Sequence, residues 1–214
     1  EIAALAWASS VAGGRDDFQV TDNDKPQQLT IFQSENQPIT VVVMLDTSGS
    51  MTGSIKLLKE AAEQFVQRLL PDDKAAVGAF NDKVQLASHF SNDRDGLVTD
   101  IRDMDYGNGT RLYDALNESL DMLRGVDGRK VVLVFTDGDD TSSRVGRGTV
   151  MDRARAEEVM IYSIGLQSEY AGGPNGQMVR SKPDAVLKRL SDETGGGYFE
   201  LKQDRKSTRL NSSH

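Results

Sequence analysis

Three apolar runs organise the chain: VVVML at 41–45, VVLVF at 131–135 and VMIYSIGL at 159–166. They are rich in Val and Ile and show little polar alternation, the pattern of strands buried on both faces of a parallel sheet covered by helices. Shorter strand candidates are AAVGAF at 75–80, VQLASHF at 84–90 and GYFEL at 197–201. Asn81, Asp82 and Lys83 form a link of hairpin length between the first two, which predicts one antiparallel strand at an edge.

Between these runs the apolar period changes to that of a helix. Over 54–70, Ile55, Leu58, Ala62, Phe65, Val66 and Leu69 recur at helical spacing, and Pro71 stands just past the end. Over 110–124, Leu112, Ala115, Leu116, Leu120 and Leu123 do the same, closed by Gly125. Weaker patterns predict helices over 93–103 and 150–158, and a last one from Pro183 to the glycines at 195–197. The order of elements predicts a doubly wound, Rossmann-like open α/β sheet, mostly parallel with one antiparallel edge strand and with helices on both faces. In such a sheet, ligands bind outside the carboxyl ends of the strands, where the strand order reverses. The segment 167–182, containing AGGPNG, has no periodicity and is expected to be a surface excursion.

Ahead of the first buried run, Phe18 and Val20, then Leu29, Ile31 and Phe32, flank a polar turn containing Asp22, Asn23, Asp24 and Pro26. This predicts a short β-hairpin. Three segments are expected: a truncated amino-terminal piece at 1–36 with that hairpin, a main domain at 37–203, and a non-native tail at 204–214. The tail, DRKSTRLNSSH, resembles the translation of a sequencing adapter.

Composition narrows the classes. A chain of 214 residues can bury one sizeable core. It has no cysteine, which excludes disulfides, thiolate metal sites and cysteine nucleophiles. No stretch reaches the roughly 18–20 apolar residues of a membrane-spanning helix. The net charge is −8, and removing the tail's +2 leaves −10. Nucleic acid is therefore not an expected partner, because neutralising phosphates takes clustered Lys and Arg. An acidic surface favours solubility and suits cations.

The candidate chemistry lies where the first buried run ends. Asp46, Ser48 and Ser50 alternate in the turn after it, Asp137 follows another buried run in TDGDD, and Thr110 opens a helix after the glycine-rich GNG. A hard cation such as Mg2+ takes octahedral oxygen ligands and retains several waters, a demand that hydroxyls backed by carboxylates can meet. Taken singly, each residue has a simpler role, since Ser and Thr cap helices and Asp is common in solvated turns. Asp139 and Asp140 read as solvated loop acids, and Asp114 as a first-turn acid or an anchor for the Thr110 loop.

The spacing D-x-S-x-S at Asp46, Ser48 and Ser50, followed by Thr110 and then Asp137, resembles the metal-ion-dependent adhesion site of von Willebrand factor type A domains. The likeness runs from about 37 to 201, and the stretches RARAEEVMIYSIGL and ETGGGYFEL look like a bacterial subgroup. It implies that Ser48 and Ser50 bind the metal directly, Thr110 directly or through water, and Asp46 and Asp137 mainly through water. The metal would be Mg2+, with Mn2+ or Ca2+ as alternatives, and a protein partner's acidic side chain would complete the shell. The resemblance further implies a non-enzymatic, cation-dependent binding module that is exported. The alternative is a cytoplasmic assembly subunit docking on an AAA+ ATPase.

Hydrolase readings are disfavoured. A phosphatase of the haloacid-dehalogenase type needs a second acid where Ser48 stands, and no GxxxxGK[ST] phosphate loop occurs. A serine hydrolase needs a base, and the only histidine outside the tail is His89, expected in an edge strand.

Overall fold

The computed structural model describes residues 20–22, 25–27, 37–171 and 178–201. The chain divides into two compact units, 1–36 and 37–214. In the first, β1 (Val20–Asp22) pairs antiparallel with β2 (Lys25–Gln27), Val20 opposite Gln27 and Asp22 opposite Lys25. The hairpin is tighter than predicted: Asp22 and Pro26, expected in the turn, lie in its arms. Phe18, Leu29, Ile31 and Phe32 lie outside the described residues, as does the tail 204–214.

The second unit is built on β3 (Ile39–Asp46), β4 (Lys74–Phe80), β5 (Val84–Leu86), β6 (Arg129–Thr136), β7 (Val159–Leu166) and β10 (Tyr198–Leu201). These six strands form one sheet in the order β10-β7-β6-β3-β4-β5, with every pairing parallel except β4–β5. The mixed, mostly parallel sheet matches the architecture expected from the unbroken apolar runs, which here occupy its centre.

Period-two geometry divides the side chains of β3 between two cores. Val42 and Met44 join Leu112, Leu116 and Leu120 of α3 (Leu112–Leu123), with Val150 and Ala154 of α4 (Arg147–Ala156) and Leu187 and Leu190 of α5 (Ala185–Thr194). Val41, Val43 and Leu45 join Leu58, Ala62 and Val66 of α1 (Ile55–Gln67), with Leu97 and Ile101 of α2 (Arg94–Arg102). Both faces are therefore dry at the sheet's centre, which explains why this strand carries no polar residue from Val41 until its last position.

The structure corrects two readings and adds detail to a third. The edge strand β5 ends at Leu86 and not near residue 90, so His89 lies beyond it, with its Nδ1 3.2 Å from Ser88 Oγ. Helix α4 starts at Arg147 and not near Val150, because Gly146 in extended backbone provides the entry that the arginine-rich pattern concealed. The surface excursion expected over 167–182 contains a hairpin, β8 (Ser168–Ala171) paired antiparallel with β9 (Met178–Ser181). Most of AGGPNG, at 172–177, lies outside the described residues.

Candidate functional site

The sheet topology creates the site. From β3 the chain crosses through α1 to β4 on one side, while β6 pairs with β3 on the other, so the strand order reverses beside β3. Asp46 is the last residue of β3, and Asp137 follows the last residue of β6. Their carboxylates therefore emerge at the same end of adjacent parallel strands, the place where open α/β sheets hold ligands.

Asp46 is fully buried and well anchored. Its Oδ1 accepts from Ser48 N–H at 3.0 Å, and its Oδ2 accepts from Thr136 Oγ1 at 2.6 Å. Burial foremost, then the adjacent Asp137 charge, pushes its pKa up to about 7, against the hydrogen bonds from Ser48 and Thr136. Asp137 is 2% exposed; its Oδ1 accepts from Asp139 N–H at 3.2 Å, whereas its Oδ2 is buried without a hydrogen-bond partner among the described residues. Two close buried acids, one with an orphaned oxygen, are costly in isolation and call for positive charge between or beside them.

The hydroxyls complete the cluster. Ser48 and Ser50 flank Gly49 in a short 3-10 turn (Gly49–Met51), and their Oγ atoms lie 3.2 Å apart. Ser48 occupies the N-cap position of that turn without a capping side-chain bond, and the N-cap of α3 is Arg111 and not Thr110. Helix capping, the simple role open to Ser48 and Thr110, is therefore not what these side chains do here. Thr110 is 3% exposed, and its carbonyl accepts from Thr141 N–H at 3.0 Å and Ser142 N–H at 3.1 Å. Those bonds join its loop to the one following Asp137. Gly107 N–H donates to Thr47 O at 3.1 Å, joining the same loop to the Asp46 turn. All five predicted positions thus belong to three mutually bonded loops at one end of the sheet.

Several supporting residues escaped the sequence reading. Asp82, taken only as part of a hairpin link, accepts from Asn108 N–H at 2.8 Å and Gly109 N–H at 2.7 Å. These bonds hold its carboxyl below the ordinary range. A Cβ on Gly109 would stand 2.7 Å from Asp82 Oδ1, so a larger residue would displace that carboxylate from the loop. Asp82→Ala is expected to accelerate amide hydrogen exchange at Asn108 and Gly109 while β4 stays protected; unchanged rates at those two amides would remove this role. Thr136 and Asn81 support the other side, the latter donating through Nδ2 to Thr47 Oγ1 at 3.0 Å.

Asp114 proves to be an anchor and more than a first-turn acid. Its Oδ1 accepts from Val145 N–H at 2.9 Å and Arg144 N–H at 3.0 Å, and its Oδ2 from Arg111 Nε at 2.7 Å. Burial opposes its charge, but those donors outweigh burial and hold its pKa below the ordinary value. Asp140 accepts from Ser143 Oγ at 2.5 Å and so ties its own loop, while Asp139 is exposed.

Among the described residues, no three His, Cys, Asp or Glu side chains cluster in a way that could hold a metal. The donor set at the end of β3 has only two carboxylates, so cation ligation there depends on the hydroxyls. The orphaned Asp137 Oδ2 and the mutual repulsion of the two acids fit that requirement.

Comparison with known proteins agrees with this geometry at the level of the domain. Residues 41–139 match the family model of the von Willebrand factor type A domain, a span containing all five candidate residues. An uncharacterized protein of Borreliella burgdorferi is 24% identical over 185 residues, covering 77% of this chain; the chain spans 54% of the length of that curated relative. The vWF domain of the type V pili tip protein Mfa5 from Porphyromonas gingivalis superposes with a TM-score of 0.60 at 13% identity, over 78% of this chain and 90% of that one. An aerotolerance-related membrane protein from Bacteroides fragilis superposes with a TM-score of 0.61 at 16% identity, over 77% and 92%. At such identities the likeness to the solved structures is one of fold. Over residues 41–139 this chain is thus similar to the von Willebrand factor type A domain, and its fold is a Rossmann-like, mostly parallel sheet.

Proposed function

We propose that the cluster at the end of β3 binds a divalent cation, Mg2+ first with Mn2+ or Ca2+ as alternatives, and that the protein uses it to bind the acidic side chain of a protein partner. The observation that carries this reading is the buried, unpartnered Oδ2 of Asp137 beside the buried Asp46. Ser48, Ser50 and Thr110 would hold the cation with neutral hydroxyls, and Asp46 and Asp137 would balance its charge. A hard cation held largely by neutral oxygens retains affinity for an external anion. Asp46 holds the turn in place through Ser48 N–H, and Thr136 fixes the carboxylate's orientation.

The envelope or cell surface is the proposed location, in keeping with what the fold relatives are called: a pili tip protein and an aerotolerance-related membrane protein. Among the described residues, no helix is long and apolar enough to cross a membrane. A non-catalytic role is part of the same proposal.

Calorimetric titration of Mg2+ or Mn2+ into wild type and Ser48→Ala tests the site directly. Wild type is expected to bind one cation, and Ser48→Ala to bind it at least about tenfold more weakly, a loss of ~1.4 kcal/mol or more. Superimposable isotherms, or no heat from wild type with either cation, would sink the assignment.

A further inference from the structure

Away from the oxygen cluster, α4 and α5 enclose a groove of about 160 Å³. Its lining includes Arg147 and Arg155 from α4 and Arg189 and Glu193 from α5, over the apolar Met151 and Leu190. Three guanidiniums against one carboxylate make this a locally positive surface on a chain whose net charge is −8. Glu193 accepts from Arg189 Nε and from Arg155 Nη1, and Arg155 also pairs with Asp152. Among the described residues Arg147 makes no ion pair, and each of the other two guanidiniums keeps donors free, since an arginine carries five N–H groups.

We propose that this α4–α5 groove is a second binding surface, which takes an extended acidic segment of a protein partner. Size and spacing select this occupant. The volume is below the roughly 300–1,000 Å³ of a pocket for a drug-sized ligand, and suits one or two side chains resting on Met151 and Leu190. Arg147 and Arg155 are separated by eight residues of α4, about 12 Å along the axis, too far apart to converge on one small anion. An extended chain advances ~3.3 Å per residue, so carboxylates three or four residues apart match that separation. A nucleic acid is disfavoured because three arginines in a narrow groove on an acidic protein offer no continuous basic track. The chain's net negative charge repels such a segment on average, which favours this locally positive face.

The probe is a fluorescein-labelled ten-residue oligoglutamate peptide, followed by fluorescence anisotropy in EDTA so that the cation cluster contributes nothing. At an ionic strength of about 0.01 M, wild type is expected to bind it saturably, and more weakly at about 0.15 M. Arg147→Glu combined with Arg189→Glu should weaken binding about tenfold or more, while the distant Lys56→Glu leaves it unchanged. Arg147→Glu alone breaks no ion pair among the described residues, and it should still lower affinity several-fold in a protein that remains folded. Absence of saturable binding by wild type, or equal binding by wild type and the Arg147 variants, would overturn the proposal. Binding to phosphatidylserine vesicles with no binding of the peptide would equally overturn it, by making the groove a lipid site. Because EDTA is present throughout, failure here leaves the cation assignment untouched, and failure of the cation titration leaves this groove untouched.

Discussion

Asp46→Asn is expected to stabilise the cation-free protein at pH 8 and to abolish its response to Mg2+. The carboxyl titrates at about 7 in the folded protein, against an ordinary value of 3.8, because burial and the neighbouring Asp137 disfavour its charge. Below pH ~4 the group is protonated in both folded and unfolded chains and carries no penalty. Between about 4 and 7 the folded chain binds more protons than the unfolded one, so this group's contribution to stability falls as pH rises. Above about 7 it is ionised in both states, and the full cost, on the order of 4 kcal/mol, is present. Asparagine keeps an acceptor for Ser48 N–H and carries no charge toward Asp137, so it removes that cost.

The measurement is a pair of melting curves at pH 5 and pH 8 in EDTA. Subtracting variant from wild type isolates Asp46 from acids such as Asp114, whose pKa is lowered and whose stabilisation is lost on acidification. The variant is expected to melt well above wild type at pH 8 and near it at pH 5. Adding Mg2+ at pH 8 should raise the wild-type melting temperature by mass action and leave the variant unmoved. A variant less stable than wild type at both pH values would show that the carboxylate is not strained in the empty site.

Local chemistry was legible in the chain, and distant partnership was not. Asp46, Ser48 and Ser50 stand within five residues, so their convergence needs only a turn, and the apolar runs of β3 and β6 announce two central strands whose ends must approach. Asp82 holds amides 26 and 27 residues away, and Thr141 accepts from Thr110 N–H across 31. Neither relation leaves a periodic trace, because one carboxylate or hydroxyl in a loop has the same local sequence whether it meets water or a backbone amide. Asp114 was ambiguous for the same reason: its place in the first turn of α3 is visible in the chain, but its bonds to Arg144 and Val145 are not. The 168–181 hairpin was missed because each arm is four residues long, too short for alternation to register.

Gly196→Ala is expected to be the most disruptive single methyl group in the carboxyl-terminal part of the domain. A Cβ at Gly196 would overlap Ile161 O and stand 2.6 Å from the Ile161 carbonyl carbon. Ile161 belongs to β7, which is held between β6 and β10, so its backbone cannot yield without loosening both pairings. Nor can the turn easily lift away. Gly196 N–H donates to Ser191 O at 2.9 Å, Ser163 N–H donates to Gly197 O at 3.0 Å, and Ser191 Oγ donates to Ser163 Oγ at 3.1 Å. Overpacking of this kind costs about 3 kcal/mol, at the upper end of its usual range, which lowers the melting temperature of a domain this size by about 6–12 °C.

The adjacent glycine provides the contrast. Gly195 ends α5 in the left-handed region at φ 76°, and a Cβ there meets nothing within 4 Å. Gly195→Ala should therefore cost only the backbone strain of about 1–2 kcal/mol. Equal melting temperatures for the two variants would mean that the close approach to β7 relaxes freely. A larger loss for Gly196→Ala would instead fix the end of α5 as rigidly seated on the sheet. The start of that helix reaches the site, since Asp184 N–H donates to Asp137 O at 2.8 Å. The oxygen cluster and the seat at Gly196 are thus joined by one short helix, and strain introduced at the seat should reach Asp137 through it.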